Sequence, residues 1–474
     1  MTNPMTSYLT ALTGTWRFRR TAAVMAVVLV ASCSTETILE VTDPDIINPT
    51  DVQSAAGATA VRNGAIARLN SATSGGSSSS EGLFLLSGLL ADEWKSGDTF
   101  SQRVETDQRT IQGDNGEVAP FYQAEQRARG SAKDAIEALR KFLPEPAANI
   151  AQMYWAMGLA ELQLSEQFCN GVPYGEINDG VPTYTNPLTN AEGFALALAH
   201  IDSGLALATA TDTFAVNTKY NLLAAKARIL VNQGKFAEAA TVAAGVPTAY
   251  RWYMTFSTTT GDNPIWSYNN SQKRWVVGDS FDTQGLIKNA LPFASAKDPR
   301  VPVAGTSVNS SLKLAFDNGT QFVNQTLFNR SDWIPIVSGI DARLIEAEAK
   351  LNANDIAGMM TILNALRAAP QALSNAFNTP VMAALPSPAN QTEATNLYFR
   401  EKAFWQFSRG FRLGDLRRLI RQYKRTQDQV FPVGTFFKNG NPPYGTDVNF
   451  PVVRTSTIDE GANPNFHGCI DRSA

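Results

Sequence analysis

Three groups of residues in this chain have the types and spacing to carry chemistry. The first ends in Val30-Ala31-Ser32-Cys33. Small residues directly before a cysteine, behind a positive stretch (Arg17, Arg19, Arg20) and a short apolar run over 21–30, are what a signal peptidase requires. The run is too short to span a bilayer. Several acyl chains on Cys33 would anchor the protein stably, since each buried methylene contributes about 0.8 kcal/mol. Residues 1–32 therefore read as a lipoprotein signal peptide. Thr21-Ala22-Ala23 does not continue a twin-arginine motif, and Ser34 rather than Asp follows the cysteine, so nothing argues for retention at the inner membrane.

The second group is Cys169 and Cys469, the two cysteines left once Cys33 is acylated. Two thiols in an exported chain often pair. A bridge here would tie the C-terminal tail to a helix end, and two separate free thiols are the alternative. The third group is aromatic. Tyr250, Trp252, Tyr253, Trp266, Tyr268 and Trp275 fall within one segment that has no helical period, and Trp94 follows Asp92-Glu93 nearer the N-terminus. Aromatic rings stack on the apolar faces of pyranoses. Trp252, Tyr253, Trp275 and Trp94 are the expected ligand contacts, although any single Trp is more often core than platform.

Composition excludes several functions. The chain has 474 residues, a net charge of −3 and two histidines, His200 and His467. Loss of the leader arginines makes the mature chain more acidic still, which does not suit nucleic acid, and so few Cys and His do not suit a zinc site. No metal and no cofactor is expected. No later apolar run is long enough to cross a membrane. The sequence contains no Gly-x-Ser-x-Gly elbow, His-Glu-x-x-His helix or phosphate loop. A hydrolytic carboxylate pair depends on a spacing that only a structure reveals.

The elements that would position these groups are mainly helical. Apolar residues recur at three- and four-residue steps over 121–142, 150–168, 191–208, 220–232 and 235–244. Thr189 with Glu192 forms a capping box before the third. Gly234-Lys235-Phe236-Ala237-Glu238-Ala239-Ala240 looks like the turn and second helix of a tetratricopeptide repeat, and helices over 342–352 and 355–368 repeat the arrangement. Such pairs bury one face only by stacking on neighbours. The segments 44–118, 250–340 and 425–474 are rich in Gly, Pro, Asn, Thr and aromatics. They are predicted as long loops and short strands on one side of the helical scaffold, with the Gly/Ser run 74–80 as a mobile surface loop. A single domain over 33–474 is expected, with its repeat-like pairs near 119–245 and 341–368.

Four passages, in order, resemble the SusD/RagB family of outer-membrane nutrient-uptake lipoproteins. They are Lys297-Asp298-Pro299-Arg300, then Arg343-Leu344-Ile345-Glu346-Ala347-Glu348-Ala349, then Asn364-Ala365-Leu366-Arg367. The last runs from Glu401 through Gly410-Phe411-Arg412-Leu413-Gly414-Asp415-Leu416-Arg417-Arg418. One departure marks a divergent branch: Arg409 and Trp405 stand where the family usually has acids. Arg412 and Asp415, three apart on one helix face, read as a structural ion pair.

The resemblance implies a SusD-like fold and a protein that performs no bond-breaking. It also implies a partner, a SusC-like TonB-dependent transporter, to which an oligosaccharide or sometimes a peptide is presented. Two other readings stand beside it: a repeat-scaffold adaptor that binds only proteins, and a glycan hydrolase.

Overall fold

The computed structural model describes residues 53–76, 81–178, 181–304, 314–452, 463 and 465–474. Cys33 and its leader lie outside the described residues. In chain order the first half comprises α1 (Ala55–Ser74), α2 (Gly82–Leu90), β1 (Trp94–Ser96), α3 (Ser101–Gln108), α4 (Val118–Phe142), α5 (Ala147–Gln167), β2 (Glu176–Asn178), β3 (Val181–Thr183), α6 (Asn190–Leu207), α7 (Thr213–Asn232) and α8 (Phe236–Ala243). The strand-rich middle follows, with β4 (Arg251–Met254), the one-turn α9 (Pro264–Trp266), β5 (Trp275–Val277), β6 (Phe281–Asp282), β7 (Gly285–Leu286), β8 (Val303–Ala304), β9 (Asn324–Gln325) and β10 (Ile334–Ser338). Four helices close the chain: α10 (Gly339–Asn352), α11 (Ile356–Arg367), α12 (Gln391–Trp405) and α13 (Arg412–Arg421).

Small residues let these helices approach closely. A Cβ on Gly158 of α5 would come within 2.8 Å of the Ile201 side chain of α6, so a larger residue there would force Ile201 to shift. The predicted capping box is present: Glu192 N–H donates to Thr189 Oγ1 at 3.3 Å, and Thr189 N–H to Glu192 Oε2 at 2.8 Å. Both repeat-like turns take left-handed backbone, Gly234 at φ 74° and Asn354 at φ 61°. The two pairs stack on each other through α8 and α10. Ala227, Leu230, Phe236, Ala239, Ala342 and Ile345 form a small core at that joint.

The segment 44–118 departs from expectation, because it contains α1, α2 and α3. The apolar face of α1 is built from Ala58, Ala65, Leu69 and Ala72, and alanines give weak hydropathic contrast. Every residue of α2 is buried, so no polar face punctuates its sequence. Within the Gly/Ser run, Ser74 and Gly75 are buried rather than mobile surface, and 77–80 lie outside the described residues. The middle segment does form short strands. Among the described residues the strands of the chain pair in twos, all antiparallel: β1–β5, β4–β10, β2–β3, β6–β7 and β8–β9. Cys169 and Cys469 are joined by a disulfide, their Cα atoms 5.9 Å apart.

Candidate functional site

The two-residue period of strands decides where the tryptophans go. In the β1–β5 pair, Trp94 lies opposite Val277, Lys95 opposite Val276, and Ser96 opposite Trp275. Trp94 and Trp275 are fully buried. The Trp94 ring packs beside Phe407 and its Nε1–H donates to Ser408 Oγ at 3.0 Å. Both residues were expected as ligand contacts, and both belong instead to the core. Trp252 also turns inward, edge-on to Trp155 at 4.9 Å and on the same face of β4 as the buried Met254. Tyr253 faces the other way and is half-buried. Its ring lies 6.1 Å from Trp333, an exposed residue isolated between Asp332 and Ile334 that no sequence pattern singled out. The four expected contacts therefore do not form one surface.

The opposite face of β1–β5 is what matters. Lys95 and Val276, paired across the strands, line an open cleft of about 780 Å³. Its other walls come from α3 and the loop before it, the β6–β7 hairpin, the 317–323 loop and Phe437-Lys438-Asn439. The rings in it are Phe281, 58 % exposed, and the half-buried Phe437. Beside the cleft residue Asp98, with which it pairs, the Arg274 guanidinium lies 3.8 Å from the centre of the Phe316 ring and 5.2 Å from that of Phe100, both exposed. Isolated phenylalanines beside a two-residue hairpin carry no period and were not legible as a site.

Part of the charge in the cleft is committed. Asp98 accepts from Arg274 Nη1 at 2.7 Å and from Arg103. Burial alone would raise its carboxyl, but these hydrogen bonds outweigh burial and hold it below the usual range. Asp317 is likewise lowered, since Lys438 Nζ at 2.5 Å and Thr320 outweigh its partial burial. Lys438 Nζ also donates to the Asp98 carbonyl at 2.9 Å. Lys95 Nζ donates to the Phe281 carbonyl at 2.7 Å. Burial lowers the Lys95 ammonium, and Asp282 and Asp279 oppose that shift. Behind β1, burial pushes Asp107 up to about 7 while its carboxylate accepts from Ser96 N–H.

The charged motifs lie elsewhere and hold one another. Arg300 of the Asp-Pro-Arg passage pairs with Asp298 at 2.6 Å and Glu401 at 2.7 Å, and Arg367 reaches the same Glu401 at 3.0 Å. Glu348 takes Arg418, Tyr398 and Tyr423. The expected Arg412–Asp415 pair does not form. Arg412 is the first residue of α13 and turns to Asp92 at 2.6 Å, while Asp415 takes Lys402 and Arg418, each at 2.6 Å. Arg409, at the divergent position, is neutralised by Asp341 at 2.7 Å. Arg417 donates to the Glu166 and Phe168 carbonyls at the end of α5 and to Asn190 at the start of α6.

No family model and no curated protein matches the sequence. Solved structures do match. A SusD-like carbohydrate binding protein from Bacteroides vulgatus is 14 % identical with a TM-score of 0.58, covering 87 % of this chain and 97 % of that one. A SusD-like protein from Bacteroides fragilis is 12 % identical with a TM-score of 0.59, covering 90 % and 98 %. This chain has a SusD-like fold. A SusD superfamily protein from Parabacteroides distasonis gives a TM-score of 0.59 at 12 % identity, over 87 % and 98 %. At these identities the likeness is one of fold. Among the described residues no helix of this SusD-like chain is long and apolar enough to cross a membrane.

Proposed function

We propose that this chain is an outer-membrane lipoprotein, anchored through Cys33, that captures an oligosaccharide in the β1–β5 cleft. It passes the oligosaccharide, uncleaved, to a SusC-like TonB-dependent transporter. The cleft carries the reading. Its volume of about 780 Å³ lies in the range of small-ligand sites. Phe281 offers an exposed ring for a pyranose face, and Thr99, Ser101, Thr283 and Ser295 line the same cleft with hydroxyls. Asp98 and Asp317, held ionised in ion pairs, are poorly placed to act as proton donors. The Cys169–Cys469 bridge fits an exported chain, and a structural neighbour is described as a carbohydrate binding protein.

Calorimetry of the purified mature chain against an oligosaccharide panel tests this. Expected dissociation constants are roughly millimolar to micromolar, with no cleavage products on chromatography. Turnover of a bound glycan, or binding unaffected by Phe281→Ala, would overturn it.

A further inference from the structure

The cationic and acidic side chains around the cleft differ in how far they are committed. Of the cations, Lys438 is held by Asp317 and the Asp98 carbonyl, and Arg103 and Arg274 are both held by Asp98. Lys95 spends a hydrogen on the Phe281 carbonyl and lies in the field of Asp282 and Asp279. The acids are not so evenly matched. Among the described residues no cation lies within ion-pairing distance of Asp279 or Asp282, the two carboxylates that flank Phe281 in sequence and line the cleft with it. Asp279 Oδ1 accepts from Ser280 N–H and Ser295 Oγ, each at 2.7 Å. Asp282 Oδ1 accepts from Gln284 N–H at 2.7 Å. A carboxylate has about four acceptor sites, so both keep acceptor capacity for a ligand.

We propose that the cleft selects an uncharged oligosaccharide over its uronate counterpart, and that Asp279 and Asp282 set this preference. The inference rests on the glycan reading above and goes further by naming the class of sugar. A neutral hexose presents hydroxyl donors to the two carboxylates while its apolar face covers Phe281. A uronate brings a further negative charge to the same place. Among the described cations of the cleft only Lys95 lacks a carboxylate partner, and Lys95 already lies in the field of Asp282 and Asp279. Like charges brought together without a counter-ion weaken binding, and salt relieves that penalty.

The test is a matched pair. Cellohexaose, mannohexaose and maltohexaose are titrated into the mature chain by calorimetry. Each hexose oligomer is then compared with the same oligomer oxidised at C6 to the carboxylate. The oxidised form of any oligomer that binds is expected to be at least about tenfold weaker at low salt. That ratio should narrow in high salt, and also in Asp282→Asn and Asp279→Asn, each first shown to melt as the wild type does. The readout is the ratio, whatever each affinity does by itself. Equal or tighter binding of the oxidised form would overturn the inference and leave the glycan reading standing. So would a ratio unmoved in both variants. If none of the neutral oligomers binds, the glycan reading fails and the inference fails with it.

Discussion

The charges beneath α13 and the charges around the cleft are made from the same residue types, yet they do opposite work. Under α13, Glu348, Arg418, Asp415 and Lys402 are all at most 8 % exposed. Burial would raise the Glu348 carboxyl, but Arg418 and Lys402 beside it bring it down to about 2. Each partner there is fixed by the others, which holds α10, α12 and α13 in register. Around the cleft, Asp279 and Asp282 are half-buried and keep unused acceptor capacity. A charged cluster is structural when its members satisfy one another out of water. It is available for recognition when some of them do not.

The strongest way to break that contrast is to delete one member of the buried set. Arg418→Ala leaves Glu348 and Asp415 short of a partner in the interior and should cost about 3–5 kcal/mol, measured by denaturant unfolding. Trp94→Ala should cost about as much, roughly 3–5 kcal/mol, because it empties a filled core position. A Trp94→Ala protein that melts normally but loses ligand would reverse the assignment of that residue. Opening the bridge with Cys469→Ser should lower stability by roughly 2–4 kcal/mol without changing glycan affinity.

The next effect is a slope rather than a step. Burial raises Glu93 to about 8 and Asp107 to about 7. The folded chain therefore keeps protons that the unfolded chain releases near pH ~4. The stability these neutral forms contribute is complete below the unfolded values and is lost as pH climbs through the folded ones. Melting temperature should fall between about pH 5 and about pH 9, and Glu93→Gln should flatten the slope. Glu348 has the opposite sign, since its contribution is lost only as pH falls from the unfolded value through about 2. The smallest effect sharpens the recognition side: Phe281→Ala should weaken glycan binding by about 0.5–1.5 kcal/mol with no change in melting.

Much of the helical scaffold was legible because its signals are local. The Thr189 box, the Gly234 turn and the apolar period of 121–142 each need only neighbours in the chain. The ordered charged motifs were legible for a different reason: they match a family pattern, although the one pairing expected of them, Arg412 with Asp415, does not form. Asp298, Arg300, Arg367 and Glu401 meet in one cluster, and Glu348 meets Arg418 in another. Two things were not legible. In 55–108, α1 has an apolar face of alanine, α2 has no polar face and α3 has a single apolar residue, Val104, and the ligand surface expected at Trp252, Tyr253, Trp275 and Trp94 dissolved once the strands paired.

The sequence by itself determined the helix pairs and their capping and turns, because 3.6-residue periodicity and backbone φ are properties of short stretches. The tertiary structure alone decided which face of β1–β5 meets α2 and the 407–408 turn and which meets solvent. Alternation along a strand says that Trp94 and Lys95 point oppositely, but not which side is inside. That choice put the tryptophans in the core and Lys95, Phe281, Asp279 and Asp282 at the cleft.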